Sequence, residues 1–125
     1  MRVFKNTWFD KFAEKEAISD NELEDAVRQL EAGQANANLG GNVYKLRVAR
    51  SGEGKSGGYR VIVLFRSEDK TFYVYGFEKS DKANISKKEK KYFKETAKEY
   101  FSLTDEQINK RVKLGKLIEI LGVKL

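Results

Sequence analysis

From Tyr44 to Lys82 the chain reads YKLRVARSGEGKSGGYRVIVLFRSEDKTFYVYGFEKSDK, three stretches of strand pattern joined by two turns. Tyr44, Leu46 and Val48 alternate with Lys45 and Arg47. Successive strand side chains point to opposite faces, so the apolar three share one face and the two cations share the other. A glycine-rich basic turn, SGEGKSGG, covers residues 51–58. Tyr59 to Phe65 is then almost continuously apolar, which predicts a central strand covered on both sides. Ser67 to Lys70 reads as a polar turn, and Phe72 to Phe77 as a third strand rich in aromatics. Strict alternation puts Tyr73, Tyr75 and Phe77 on one face of it.

The flanks read differently. Arg2–Asn6 has the length of a short first strand. Thr7 and Asp10 are spaced as a capping box for a helix whose stripe is Trp8, Phe9 and Phe12. Ser19 and Glu22 form a second box. Leu23, Ala26, Val27 and Leu30 follow at helical spacing, predicting a helix over 20–32 that ends at Gly33. Residues 33–42, GQANANLGGN, carry no charge and read as a loop or hairpin approach, with Gly40-Gly41 placed for unusual dihedrals. Ser86 and Glu89 cap a helix that carries Tyr92, Phe93, Ala97, Tyr100 and Phe101 among many lysines. Thr104 and Gln107 open a fourth helix with Ile108, Val112 and Leu114 facing inward, and Leu117–Leu125 reads as a terminal edge strand. Strands joined by short turns are antiparallel, and helices before and after them predict a two-layer α+β fold with a sheet of three to five strands.

The 125 residues predict one domain, 1–125, of which 102–125 is an extension of helix and edge strand. Cys and His are both absent. That excludes disulfides, thiolate metal sites and a cysteine nucleophile, and removes the usual general base at neutral pH. Any catalysis rests on Lys, Arg, Tyr, carboxylates or hydroxyls. No apolar run approaches the roughly 20 residues of a membrane span, and no signal-peptide core follows Met1, so a soluble cytoplasmic protein without a membrane partner is expected. The net charge of +6 is uneven: residues 1–40 carry 5 cations against 8 anions, and residues 41–125 carry 20 against 11. A basic body behind an acidic head predicts a polyanion surface in the second part. Arg50, Lys55, Arg60, Lys79 and Lys82 sit at the expected strand ends, where they gather at one end of the sheet. The bland alternative is a solvated charged skin, for Lys45 and Arg47 as an exposed strand face and for Arg60 and Lys79 as strand-end solubility.

The runs YKLRVARSGEGKSGGYRVIVLF and FYVYGFEKSDKANIS resemble the RelE/HigB superfamily of bacterial toxins from type II toxin–antitoxin pairs. They are most similar to its HigB-like branch, with an L-R-K/V-x-R strand, a G-x-G-K-x-G-G turn, an R-[VI]-[VI] strand and a late Y-x-x-x-K-x-[DE] segment. The resemblance covers residues 1–101 and is specific over 44–86. It implies a RelE-like fold and a cytoplasmic, ribosome-dependent mRNA endoribonuclease that blocks translation. The 2′-hydroxyl attacks the adjacent phosphorus, leaving a 2′,3′-cyclic phosphate and a 5′-hydroxyl. No metal or cofactor is implied. The implied partners are the ribosome, its mRNA and a cognate antitoxin, expected to be a helix-turn-helix protein.

Position by position, the resemblance assigns Lys45 and Arg47 to the basic pair on the first of these strands, Arg60 to the arginine after the turn, and Lys79 to the lysine ending the last strand. Fixed cations stabilise charge developing on phosphorane oxygens, and a lysine desolvated among other cations can act as a base. Arg50, Lys55, Lys82, Lys87, Lys88 and Lys91 are the candidate RNA and ribosome contacts, the first of which suits an acidic antitoxin segment equally well. The arginine that follows the terminal lysine in RelE falls on Ser80 here, with Lys82 placed to replace its charge. The terminal tyrosine of RelE has no counterpart; Tyr59 and Tyr75 are candidates by chemistry alone. Two other function classes remain open. One is a non-enzymatic gyrase inhibitor of the ParE kind, which shares the fold. The other is a plain RNA-binding module, whose surface needs stacking aromatics beside its cations. The acidic helices between Trp8 and Leu30 are the expected antitoxin contact.

Overall fold

A computed structural model describes residues 1–34, 37–49 and 58–120. In chain order the elements are β1 (Arg2–Asn6), α1 (Thr7–Lys15), α2 (Asp20–Glu31), β2 (Ala37–Gly40), β3 (Val43–Val48), β4 (Tyr59–Phe65), β5 (Lys70–Glu78), α3 (Lys87–Phe101), α4 (Asp105–Lys113) and β6 (Leu117–Ile120). The strands form one sheet in the order β2-β3-β4-β5-β1-β6. All neighbours are antiparallel except β1 and β5, which run parallel with Arg2 opposite Lys70. The class is α+β, as expected, with six strands rather than three to five. β2 had no apolar pattern to announce it; it pairs with β3 through its backbone, and Gly40 and Gly41 make the connection at φ of +86° and +59°.

β4 explains the layering. All seven of its residues are buried. Val61, Val63 and Phe65 pack with Phe9, Ala13, Leu23, Val27 and Leu30 of α1 and α2. Ile62 and Leu64, from the same strand, pack with Phe93, Ala97 and Ile108 of α3 and α4. The helices are therefore divided between the two faces, and the expected two layers are three, because a strand apolar on both sides has two faces to bury.

The caps hold with one exception. Ser86 and Glu89 form a reciprocal box at α3, Thr104 and Gln107 another at α4, and the Ser19 hydroxyl accepts from the Glu22 N–H at α2. At α1 the N-cap is Asn6, not Thr7. Its Oδ1 accepts from the Phe9 N–H at 2.7 Å, and its Nδ2 donates to the Val74 carbonyl at 3.1 Å. One asparagine thus caps the helix and ties it to β5, which the hydroxyl one position later is not placed to do. Leu114, expected inside, is 59% exposed beyond the end of α4.

Candidate nucleic-acid interface

The face under α3 is apolar only part of the way along the strands. Val43, Ile62, Leu64, Phe72 and Val74 lie in the cluster beneath α3 and α4. Beyond them the same face carries Lys45 and Arg47 of β3 and Arg60 of β4. Arg47 lies directly opposite Arg60, and Arg60 opposite Phe77 of β5. The next row is Lys45, Ile62 and Tyr75. Alternation thus turns one strand toward two tasks, with core residues down and cations up.

Arg60 is the unusual member. It is only 7% exposed, and among the described residues its Nη1 is buried without a hydrogen-bond partner. Burial first, and the neighbouring Arg47 charge second, lower its pKa below the usual arginine value. A buried guanidinium with an open donor and a second cation across the strand pair is poised for an anion, because unmet donors in a low-dielectric setting are costly until an acceptor arrives.

The other cations differ in how far they are committed. The Lys45 ammonium donates to Asn84 Oδ1 at 3.3 Å, tying β3 to the segment before α3. Lys79, just past β5, is exposed and has no partner among the described residues. Lys82 is engaged: its ammonium is 2.6 Å from both Glu89 carboxylate oxygens and 5.3 Å from the Tyr75 ring centroid. The Glu89 hydrogen bond holds the Lys82 pKa above its ordinary value, so the charge expected to replace the missing arginine is already paired. Lys87, Lys88 and Lys91 are exposed at the start of α3. Cations at the positive end of a helix oppose its dipole, so these lysines do not serve helix stability. Arg50 and Lys55, with the turn over 51–57, lie outside the described residues.

A β-bulge shapes the aromatic part. The register between β4 and β5 shifts between Ile62 and Val63, so that Ile62 faces Tyr75 while Val63 faces Tyr73. Tyr73 turns away from Tyr75 and Phe77, contrary to strict alternation. It is fully buried under α2, where its hydroxyl donates to the Leu23 carbonyl at 2.6 Å. Bulges re-aim side chains in this way beside functional sites. Tyr59 also leaves the site, since its hydroxyl donates to Glu16 on the opposite face at 2.9 Å. Tyr75 stays, 6.0 Å from Phe77 by ring centroids. Gly76 faces α1, and a Cβ there would meet the Phe12 ring at 2.4 Å, so α1 sits against bare backbone.

Two exposed aromatics escaped the sequence reading. Trp8 is 45% exposed and lies 4.7 Å from Tyr75, and Tyr92 is 63% exposed on α3. Each has a buried neighbour, Phe9 and Phe93. Adjacent helical residues point about 100° apart, so one of each pair had to leave the core stripe.

The profile of the RelE toxin of the RelE/RelB toxin–antitoxin system matches residues 1–120. The chain belongs to the RelE toxin family. The match takes in α4 and β6, beyond the 1–101 covered by the sequence resemblance. A RelE toxin is one half of a toxin–antitoxin system, so an antitoxin is its partner. No curated protein matches the chain. Among the described residues of this RelE toxin no helix is long and apolar enough to cross a membrane.

Proposed function

We propose that this RelE toxin is a HigB-like, ribosome-dependent mRNA endoribonuclease that acts in the cytoplasm as a single domain and needs no metal or cofactor. The observation that carries the reading is Arg60, a buried guanidinium with an open donor beside Arg47. In the proposed reaction the 2′-oxygen of the mRNA loses its proton and attacks the adjacent phosphorus. The bond from phosphorus to the 5′-oxygen breaks, and that oxygen takes up a proton. The products are a 2′,3′-cyclic phosphate and a 5′-hydroxyl. Arg60 and Arg47 hold the charge that builds on the non-bridging oxygens, and fixed donors at such a point supply a large share of a rate enhancement. Lys79, exposed and uncommitted just past β5, adds its charge where the leaving 5′-oxygen departs. Lys45 holds the scissile phosphate in register with the Asn84 segment. Lys87, Lys88 and Lys91 meet rRNA or mRNA phosphates by charge, as do Arg50 and Lys55. The antitoxin, a small helix-turn-helix protein, silences the toxin.

The test is to induce the toxin in cells and map the ends of mRNA. Cuts inside translated frames with 5′-hydroxyl ends, absent when ribosomes are kept off the message, are expected. DNA synthesis stopping first, with mRNA intact, would replace this reading by a ParE-like action on gyrase.

A further inference from the structure

An open groove runs beside the cations. It has a volume of about 450 Å³ and is bounded by Trp8 of α1, Tyr75 of β5, and Lys88, Tyr92, Phe93 and Thr96 of α3. Its apolar walls are mostly rings, with Val74 the one large aliphatic side chain among them. Trp8 stands 4.7 Å from Tyr75, and Tyr75 5.6 Å from Phe93. Trp8 and Tyr92 are two of the three large hydrophobic side chains most exposed among the described residues. Neither closes the core, and neither is explained by the chemistry at Arg60.

We propose that this groove is a base-stacking subsite, which takes an unpaired nucleobase of the RNA whose phosphate lies at Arg60. The proposal rests on the nuclease reading above. Three observations choose the occupant. The groove lies near the cation site, since Tyr75 is both its wall and the cross-strand neighbour of Ile62, one row from Arg60 and Phe77. Two strand residues along and one strand across amount to about 7 Å and about 4.8 Å, a separation that a nucleotide spans from its phosphorus to its base. The rim carries a net positive charge: Lys88 is exposed, beside a Glu89 carboxylate that is taken up by Lys82, whose ammonium lies over the Tyr75 ring. Rings flanked by cations suit a nucleotide, which presents a π-face beside a negative charge. An apolar peptide side chain would leave Lys88 without a counterpart.

The protein reports on this groove directly, because Trp8 is its one tryptophan. The experiment titrates the full chain with hexaadenylate RNA and, separately, with inorganic polyphosphate of matched charge, following Trp8 fluorescence. RNA is expected to quench Trp8 and polyphosphate to leave it unchanged. Tyr92→Ala is expected to weaken RNA affinity about 10-fold, in line with the loss of one stacking surface, and Tyr92→Phe to restore it; circular dichroism confirms that both variants fold. RNA that binds without quenching, or binds Tyr92→Ala as tightly as the parent, overturns the proposal and leaves the nuclease reading intact. Equal quenching by polyphosphate overturns it as well, because the signal then reports charge. Quenching and a Tyr92 effect in a protein that leaves mRNA whole keep the subsite and overturn the nuclease reading. Failure of RNA to bind at low salt overturns the subsite and leaves the ribosome-dependent nuclease reading to stand on its own test in cells.

Discussion

The two faces of the sheet are built from alternate residues of the same strands, yet they are finished differently. Under α1 and α2, Leu46, Val48, Tyr59, Val61, Val63, Phe65 and Tyr73 are all buried, and the face is closed from end to end. Under α3 and α4 the apolar residues of β4 stop at Ile62, and Lys45, Arg47 and Arg60 fill the remaining positions of β3 and β4. The first face supplies hydrophobic stabilisation along its whole length. The second gives part of that up, leaving a buried cation where a leucine would contribute to the core. What separates folding from function here is a change of residue type along one strand face.

The largest effect should come from opening the closed face. Phe9→Ala removes a fully buried ring and is expected to cost about 3–5 kcal/mol in urea denaturation. The open face should answer in the reverse sense. Arg60→Ala is expected to slow mRNA cleavage about 100- to 1000-fold without lowering the melting temperature, since it removes an unmet buried charge. A clear drop in melting temperature, or growth arrest at the parental level, would show that Arg60 belongs to the scaffold. Gly76→Ala joins the two faces in one test. Its methyl would strike Phe12, which is wedged among Trp8, Phe9 and Tyr59. Overpacking of this kind costs about 1–3 kcal/mol, and it should also shift the emission of Trp8; unchanged stability and emission together would mean that Phe12 moves aside freely.

The smallest effect tests the clasp at the mouth of the open face. The Lys82 hydrogen bond, then those from Ser86, hold the Glu89 pKa below the ordinary glutamate value. A depressed carboxylate stabilises the fold above its unfolded-state pKa, and that contribution is lost as pH falls through the folded-state pKa. Glu89→Gln keeps the capping geometry and loses the charge. It should be less stable than the parent by under about 1 kcal/mol near neutral pH, with the gap closing below about pH 4. A gap that is the same at both pH values would assign the effect to the cap alone.

The antitoxin can be placed by the same contrast. Glu22 and Asp25 of α2 line a shallow recess with Arg47 and Val48, so the acidic helix borders the cations instead of standing apart from them. Reversing charge at Glu22, Glu24 and Asp25 together is expected to weaken antitoxin binding, measured by calorimetry. Affinity that survives this reversal but fails on Arg47 or Arg60 substitution would place the antitoxin over the cation site.

Much of this could be read before any coordinates. Local signals survived intact: the Ser86–Glu89 and Thr104–Gln107 boxes, the doubly covered β4, and the cations on the second face of β3. What the pattern missed was set by partners distant in sequence. Asn6 outcompeted Thr7 as a cap because it also reaches Val74. β2 formed because β3 offered it an edge. The bulge before Val63 separated Tyr73 from Tyr75, which no alternation rule foresees. Trp8 and Tyr92 were visible as residues but not as exposed ones, since exposure depended on which neighbour the core accepted. The turn over 51–57, specific in the family resemblance, lies outside the described residues.

The position of β1 bears on how quickly the toxin forms. β3, β4 and β5 are consecutive antiparallel neighbours, so the strands bearing Lys45, Arg47, Arg60 and Tyr75 can pair through local contacts. β1 pairs on one side with β5 and on the other with β6, Arg2 opposite Lys70 and Val3 opposite Ile120. Both are contacts between distant parts of the chain, and closing such long loops is slow. During synthesis β1 is made first and waits for both partners. The cation-bearing strands are therefore expected to assemble early, and the α1 wall of the groove, which follows β1 at Asn6, to dock when the sheet closes around it.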